Sequence, residues 1–537
     1  MPAPIRFPKA DAVPAEFRVD ASPYELQYLI NGEVRRWGGE GLPITAALCV
    51  DEGGKPVRPV LGKVPMLTGK EALEALDAAH AAWDHGRGEW PSLPVSGRIT
   101  AMEGLLGRLA AVRTEVVKLL MWEIGKSKAD SEKEFDRTII YIRDTLSALK
   151  ALERNSSSFE IEEGVFGQIR RSPLGVVLCM GPFNYPLNET YTTLIPALVM
   201  GNTVVVKLPR FGQLLHLPTY QAFAASFPRG VVNFISGDGS TVVGPIMESG
   251  KIHVLAFIGS QRVADLLKRQ HPAPHRLRSV LGLGAKNAAI VLDDADLEVA
   301  LREGIAGALS YNGQRCTALK VFYVERKLAD RFAQGMAAGV AKLKPGMPWE
   351  DGVKLTPLPE DGKAEWLAGF VSDAVSKGAK VINPGGGEAS GTYFHPAVLY
   401  PVSAEMKIHD EEQFGPIVPI VPFDDERTVI DAITRSPYGQ QASIFGKDPA
   451  RVGRLIDALA TQVSRINLNS QCQRGPDAFP FTGRKASAEG TLSVTDAMRV
   501  FSIRTLVAAK DDGANRELVS GILRERRSAF LSTDFLF

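Results

Sequence analysis

The sequence predicts an α/β protein with two open, mostly parallel sheets covered by helices, and three observations carry that expectation. From Gly175 onward the short apolar runs "GVVLCM", "NTVVVKL", "VVNFISG", "VLAFIG" and "SVLGL" alternate with helix-like segments such as "LNETYTTLIPALVMG" and "SQRVADLLKRQ". Strand, helix, strand repeated in this way is the pattern of a parallel sheet with helices on both faces. A second βα series begins at "KNAAIVLDDADLEVALREGIAGALSYNG" and continues through "ALKVFYV", "RFAQGMAAGVAKL", a helix in "KAEWLAGF" as far as Phe370, and "ASIFG". The length of 537 residues exceeds what one hydrophobic core organises, so the two series are read as two domains.

The remaining elements follow in order. The first 60 residues carry no clear period. From about Lys70 to Arg154 apolar residues recur at three- and four-residue spacing in "KEALEALDAAHAAW" and "GRITAMEGLLGRLAAVRTEVVKLLMWEIG", which reads as amphipathic helices. "SSSFEIEEGVFGQIRRSPLG" then switches to short alternation with Gly and Pro, a β excursion leaving the domain body. "DDADLE" reads as a loop and helix cap rather than a metal site, and "LRERRS", residues 523–528, as a solvated helix face.

Composition excludes several function classes. The 62 Lys+Arg nearly balance 61 Asp+Glu, so no broad attraction to nucleic acid or membrane is implied. The amino terminus has no apolar core of signal-peptide length and no run is long enough to span a bilayer, which leads to the expectation of a cytoplasmic protein. Four cysteines, Cys49, Cys179, Cys316 and Cys472, show no metal-ligand spacing, and the eight histidines form no HExxH cluster. No disulfide framework and no metal site are expected; Cys49 and Cys179 read as core, Cys472 as packing.

Open parallel sheets take ligands beyond the carboxyl ends of their strands, and the unusual residues fall there. "GVVLCMGPFNYP" ends a strand and holds Asn184 in a loop bounded by Gly and Pro; "VVVKLPR" ends another with Lys207; "FISGDGSTVVG", closing on Gly244, and "FIGS" end two more. In "SYNGQRCTALK" Cys316 follows Arg315. A thiolate attacks an aldehyde carbonyl readily, and the resulting oxyanion needs fixed donors. Asn184 and the backbone N–H of Cys316 are candidates for those donors, and Arg315 for raising the thiolate fraction by its charge. Each residue alone has a bland reading: buried filler for the cysteine, turn former for the asparagine, salt-bridge partner for an arginine.

Their joint wording points further. "GPFNYPLNETYTTLIPALVMGNTVVVKLP", "FIGS", "LGAKNAAIVLDDADLE", "GQRCTALK" and "EEQFGPIVPI" occur in an order that resembles the aldehyde dehydrogenase superfamily. "FNYP", "GQRC" and "CQRGPDAFPFTGRK" resemble its NADP-dependent, non-phosphorylating glyceraldehyde-3-phosphate dehydrogenase branch. The resemblance implies a Rossmann-type cofactor domain, residues 1–155 and 174–282; an α/β catalytic domain, 283–490; an oligomerisation arm, 156–173 and 491–512, giving a homotetramer or else a dimer; and a tail, 513–537. It implies Cys316 as nucleophile and Asn184 as oxyanion donor. Lys207, Gly244, Gly259, Ser260, Glu412 and Phe414 are implied around the cofactor. Arg137, Arg315 and Arg474, with Tyr185, are implied around a phosphorylated aldehyde, forked guanidinium donors suiting phosphate oxygens. Arg210 stands where many NAD-using relatives carry a glutamate; an arginine accommodates a 2′-phosphate, so NADP is expected, with NAD as second choice.

One position departs from the family. Aligned on Lys286 and Asn287, "SVLGLGAKNAAIV" puts Gly282 where the glutamate of an "ELGG" stretch activates water. Three outcomes stay open: another carboxylate serves, a thiol such as coenzyme A takes the acyl group, or the chain binds nucleotide with weakened catalysis.

Overall fold

The computed structural model describes residues 5–533; residues 1–4 and 534–537, part of the first and last expected segments, lie outside the described residues. Two large sheets form the body. In the first, the central strands Val232–Ile235, Thr203–Lys207, Val176–Met180, Val254–Ile258 and Arg278–Gly282 lie side by side in that order, all parallel. Every residue of Thr203–Lys207 is buried, as a strand covered on both faces requires. Antiparallel strands border the set: Gln27–Ile30 and Glu33–Arg36 at one edge, Ala488–Glu489 at the other. These edge strands come from the uninformative first 60 residues and from the far end of the second series, so neither was visible as part of this sheet.

Chain order reverses between Val176–Met180 and Val254–Ile258: the two strands that follow Val176–Met180 go to one side, the next two to the other. Such a reversal opens a crevice at the carboxyl ends, where no crossover loop covers the sheet. The second sheet runs Lys380–Val381, Ala397–Tyr400, Ile417–Phe423, Val321–Glu325, Ala288–Val291, Gln441–Phe445, Arg465–Leu468, parallel except for its first edge strand.

The region read as helical forms Gly69–Trp83, Val95–Ala110, Arg113–Ile124 and Lys128–Asn155. Gly69–Trp83 starts at a capping box between Thr68 and Glu71 and buries Ala72, Ala75, Leu76 and Ala79. Lys128–Asn155 lies against Asn188–Val199, which also touches the first sheet and the helix Val494–Val500. All twelve residues of Asn188–Val199 are consequently buried. The "DDADLE" cap is realised by Asp296, whose side chain accepts the N–H groups of Glu298 and Val299.

The two arm segments meet in a three-stranded antiparallel sheet in which Ser502–Lys510 pairs residue for residue with Val165–Pro173, and Glu160–Glu162 closes the other side. Within the segment 491–512 the residues Val494–Val500 are helical, not extended. Two further corrections concern helix ends. The helix containing "KAEWLAGF" runs past Phe370 to Ser376, carrying its buried stripe on to Ala374. The tail helix Gly513–Arg524 stops inside "LRERRS", so only its first two residues belong to a helix face.

Candidate functional site

The crevice at the strand reversal continues into the gap between the two sheets as one cleft of about 1020 Å³. Its walls include Asn184, Tyr185, Lys207, Arg210, Gly259, Ser260, Glu412, Phe414, Cys316, Arg137, Arg315 and Arg474. One expected residue stands apart: Gly244 is buried inside the helix Gly239–Glu248, where an added Cβ would meet only Gln270 at 3.6 Å. It is not among the residues that line the cleft.

The reactive end is built by three loops. Asn184 follows the strand Val176–Met180, and its Nδ2 donates to the Gln314 carbonyl at 2.8 Å, which leaves the second amide hydrogen for the cleft. Cys316 follows the kinked turn Ser310–Gly313, where Tyr311 and Asn312 adopt positive φ of 49° and 53°. Its carbonyl accepts from Asn287 Nδ2 at 2.7 Å and Lys320 Nζ at 3.1 Å, while its own N–H has no acceptor among the described residues. Gly259 N–H donates to the Gly282 carbonyl at 2.9 Å and so ties the third loop to the strand that ends beside it.

Electrostatics at the sulfur differ from the sequence reading. Burial pushes the Cys316 thiol above its ordinary range and the Glu189 carboxylate adds to that; Lys320, Arg474 and a hydrogen bond with Gln440 oppose both without reversing them. Arg315 is not among the largest influences on this thiol. Its guanidinium turns away to the Gly307 carbonyl at 2.9 Å and the Ala306 carbonyl at 3.3 Å.

All three expected arginines line the cleft, but two are bound to carboxylates. Arg474 is buried, ion-paired with Glu189 and 3.3 Å from Asp477; Arg137 donates to Asp477 at 2.9 Å. Burial alone would raise the Asp477 carboxyl, yet Arg474 and Arg137 hold it below the ordinary carboxylate range. Arg315 is the one with no carboxylate partner among the described residues. Tyr185 lies beneath the Lys126 ammonium, 3.3 Å from its ring centre, and Lys126 is paired with the fully buried Glu134.

The other end presents dinucleotide-compatible groups. Lys207 is buried at a strand end and its ammonium makes no hydrogen bond or ion pair among the described residues; burial lowers it to about 8, against Asp238. Such an orphaned donor fits a sugar hydroxyl. Arg210 is exposed with its guanidinium 5.4 Å from the Phe211 ring centre, open to an anion. Ser260 caps the helix Gln261–Gln270, whose first N–H groups and dipole suit a pyrophosphate. Glu412 accepts from Lys320 at 2.8 Å and from Ala285 N–H at 3.2 Å, and Phe414 holds a positive φ of 37° with its ring 5.8 Å from that of Phe183.

Sequence reasoning missed Glu189, Asp477, Lys320 and the Lys126–Glu134 pair. Glu189 had one available signal: a carboxylate in the otherwise uncharged segment "LNETYTTLIPALVMG". The others sit in stretches whose burial only the tertiary structure reveals. Cys49, Cys179 and Cys472 are buried, and all four cysteines are free thiols.

Comparison with known proteins gives consistent matches. The model of the aldehyde dehydrogenase family matches residues 55–506. An NADP-dependent glyceraldehyde-3-phosphate dehydrogenase of Streptococcus equinus is 32% identical over 455 residues, covering 84% of this chain and 92% of that protein. A malonate-semialdehyde dehydrogenase of Bacillus cereus is 30% identical over 458 residues, covering 84% and 92%. The crystal structure of NADP-dependent glyceraldehyde-3-phosphate dehydrogenase from Bacillus halodurans, complexed with NADP, superposes with a TM-score of 0.82 at 30% identity, covering 91% of this chain and 100% of the other.

Proposed function

Because the chain belongs to the aldehyde dehydrogenase family, we propose that it oxidises an aldehyde with NADP, the substrate being D-glyceraldehyde 3-phosphate and the product 3-phosphoglycerate. The observation that carries this reading is the convergence of Cys316, Asn184 and three arginines in one cleft whose far end offers an unpartnered Lys207 and an open Arg210. The names of the relatives at about 30% identity support the substrate and the cofactor.

In this mechanism the Cys316 sulfur bonds to the aldehyde carbon. The carbonyl oxygen becomes an oxyanion held by the free hydrogen of Asn184 Nδ2 and by the Cys316 N–H. Bound NADP would supply the hydride acceptor for that carbon. Lys207 would hold an adenosine-side hydroxyl, Arg210 the 2′-phosphate, Ser260 and its helix the pyrophosphate, and Glu412 the hydroxyls of the second ribose. The thioester left on Cys316 is then hydrolysed. Arg315 meets the substrate phosphate directly, while Arg137 and Arg474 engage it by sharing their hydrogen bonds with Asp477 and Glu189.

Steady NADPH formation from glyceraldehyde 3-phosphate with no added thiol, yielding 3-phosphoglycerate, is the expected result. A second reading is favoured by Gly282, which offers no carboxylate: transfer of the acyl group to a thiol such as coenzyme A. NADPH released in one burst and resumed only on adding coenzyme A would establish that reading instead.

The same proposal takes residues 1–155 and 174–282 as the cofactor domain and 283–490 as the catalytic domain. It takes 156–173 and 491–512 as an oligomerisation arm, giving a homotetramer or a dimer. Ser502–Lys510 is an edge strand with Ile503, Leu506 and Val507 exposed, which supports pairing with another copy. Among the described residues no helix is long and apolar enough to cross a membrane; with four free thiols, this supports a cytoplasmic location.

A further inference from the structure

We propose that Glu189 is the carboxylate that activates water to hydrolyse the thioester on Cys316, the task for which position 282 has no side chain. The proposal rests on the aldehyde dehydrogenase reading above and names the residue that completes it. Five carboxylates line the cleft: Asp130, Glu134, Glu189, Glu360 and Glu412. Four are otherwise committed. Asp130 is bonded to the cap residue Ser127, and Glu134 to Lys126 and the N–H groups of Leu187 and Asn188. Glu360 pairs with Lys363 at 3.2 Å, and Glu412 with Lys320 at 2.8 Å and Ala285 N–H. Glu189 is the one of the five among the largest influences on the Cys316 thiol.

Position and orientation agree with the role. Glu189 lies in the first turn of Asn188–Val199, directly after the loop that carries Asn184, and its N–H donates to the Tyr185 carbonyl at 3.0 Å. One loop–helix junction therefore sets both the oxyanion donor and the carboxylate. Arg474 and Thr192 Oγ1 hold Oε2, whereas Oε1, on a side chain that lines the cleft, takes no hydrogen bond from the described residues. Burying an ion pair in a helix that is otherwise apolar or neutral costs desolvation and is weak evidence for a stabilising role. An orienting partner for a base needs this geometry.

In the step itself a water oxygen bonds to the thioester carbon as one of its protons passes to Glu189 Oε1. The tetrahedral intermediate collapses, the carbon–sulfur bond breaks, and Cys316 leaves as thiolate. The acid product loses the remaining proton, Glu189 returns its own to solvent, and nothing is oxidised or reduced. Deacylation is expected to be slower than acylation of the thiol, so a pre-steady-state burst is expected.

The test uses p-nitrophenyl acetate, which acylates a nucleophilic thiol without NADP or any phosphorylated aldehyde, so its outcome is separable from the substrate assignment. Wild-type protein is expected to give a burst of nitrophenolate followed by steady turnover without added thiol. In Glu189→Gln the burst remains and is no slower, because a negative charge opposing the thiolate is gone. Steady turnover falls by about a hundredfold or more, acetyl-Cys316 accumulates in the intact mass, and hydroxylamine, which needs no base, restores turnover. Unchanged steady turnover in Glu189→Gln, loss of its burst, or a wild type that also stops after one burst would each overturn the proposal. Should that variant not fold, Glu189→Asp serves: it keeps the charge beside Arg474 but shortens the reach of the carboxylate, so its burst must remain while steady turnover falls, and unchanged steady turnover overturns the proposal.

Discussion

The Cys316 thiol is pushed upward by burial and by Glu189, so its reactivity in the free protein is set by pH. Inactivation by iodoacetamide is expected to accelerate with rising pH through a midpoint above that of an unperturbed cysteine, since only the thiolate alkylates; a midpoint well below neutrality would contradict this electrostatic description. At position 282, the three atoms nearest to an added Cβ would all be Ile258 side-chain atoms, at 3.3, 3.5 and 3.8 Å. Gly282→Glu is therefore expected to fold and, placed in Glu189→Gln, to restore steady hydrolysis of the acyl enzyme. Arg210→Glu is expected to raise the KM for NADP by about tenfold to a hundredfold, the worth of a charged hydrogen bond, with the KM for NAD little changed. Twelve of the thirteen residues singled out from motifs line the cleft, because loop wording at strand ends is local information. The partners that set their charge state were not legible: Glu189 reaches Arg474 from 285 residues away, Asp477 beside Arg474 also binds Arg137 from 340 residues away, and nothing near Arg315 in sequence reveals that its guanidinium turns to the carbonyls of 306 and 307.

At the scale of elements, the helix Lys128–Asn155 fixes the catalytic loop through one buried side chain. Glu134 pairs with Lys126 and accepts the N–H groups of Leu187 and Asn188, which would otherwise be orphans at the start of Asn188–Val199. Glu134→Gln keeps an acceptor for those N–H groups but strands the Lys126 ammonium, which is fully buried. Unfolding by denaturant is expected to show a loss of roughly 3–5 kcal/mol; a change within experimental error would show that this pair does not carry the loop. Helices and parallel strands were legible from periodicity because burial repeats along them. The edge strands Gln27–Ile30, Glu33–Arg36 and Ala488–Glu489 were not, since short strands added to an existing edge need little hydrophobic pattern of their own. The same reason hides the end of the helix at Ser376: past Phe370 its buried positions thin out to Ala374.

For the whole molecule, the two sheets leave between them a cleft with nucleotide-compatible groups at one end and a thiol at the other, and the arm leaves an open strand edge. Light scattering is expected to give a mass of two or four times 58.1 kDa. Leu506→Asp, which puts a charge on the exposed face of Ser502–Lys510, is expected to shift that mass toward one chain, and an unchanged mass would remove this edge from the assembly. The division into two α/β units was readable from the rhythm of the sequence, whereas their juxtaposition into one cleft depends on contacts between remote segments. The covalent role of Cys316 underlies all of this chemistry and has one direct test. Protein mixed with glyceraldehyde 3-phosphate and NADP is quenched within the first turnover, and the peptide bearing Cys316 is weighed. A phosphoglyceryl adduct on that peptide, with NADPH formation abolished in Cys316→Ala, is the expected result; NADPH formed at an undiminished rate by Cys316→Ala would contradict it.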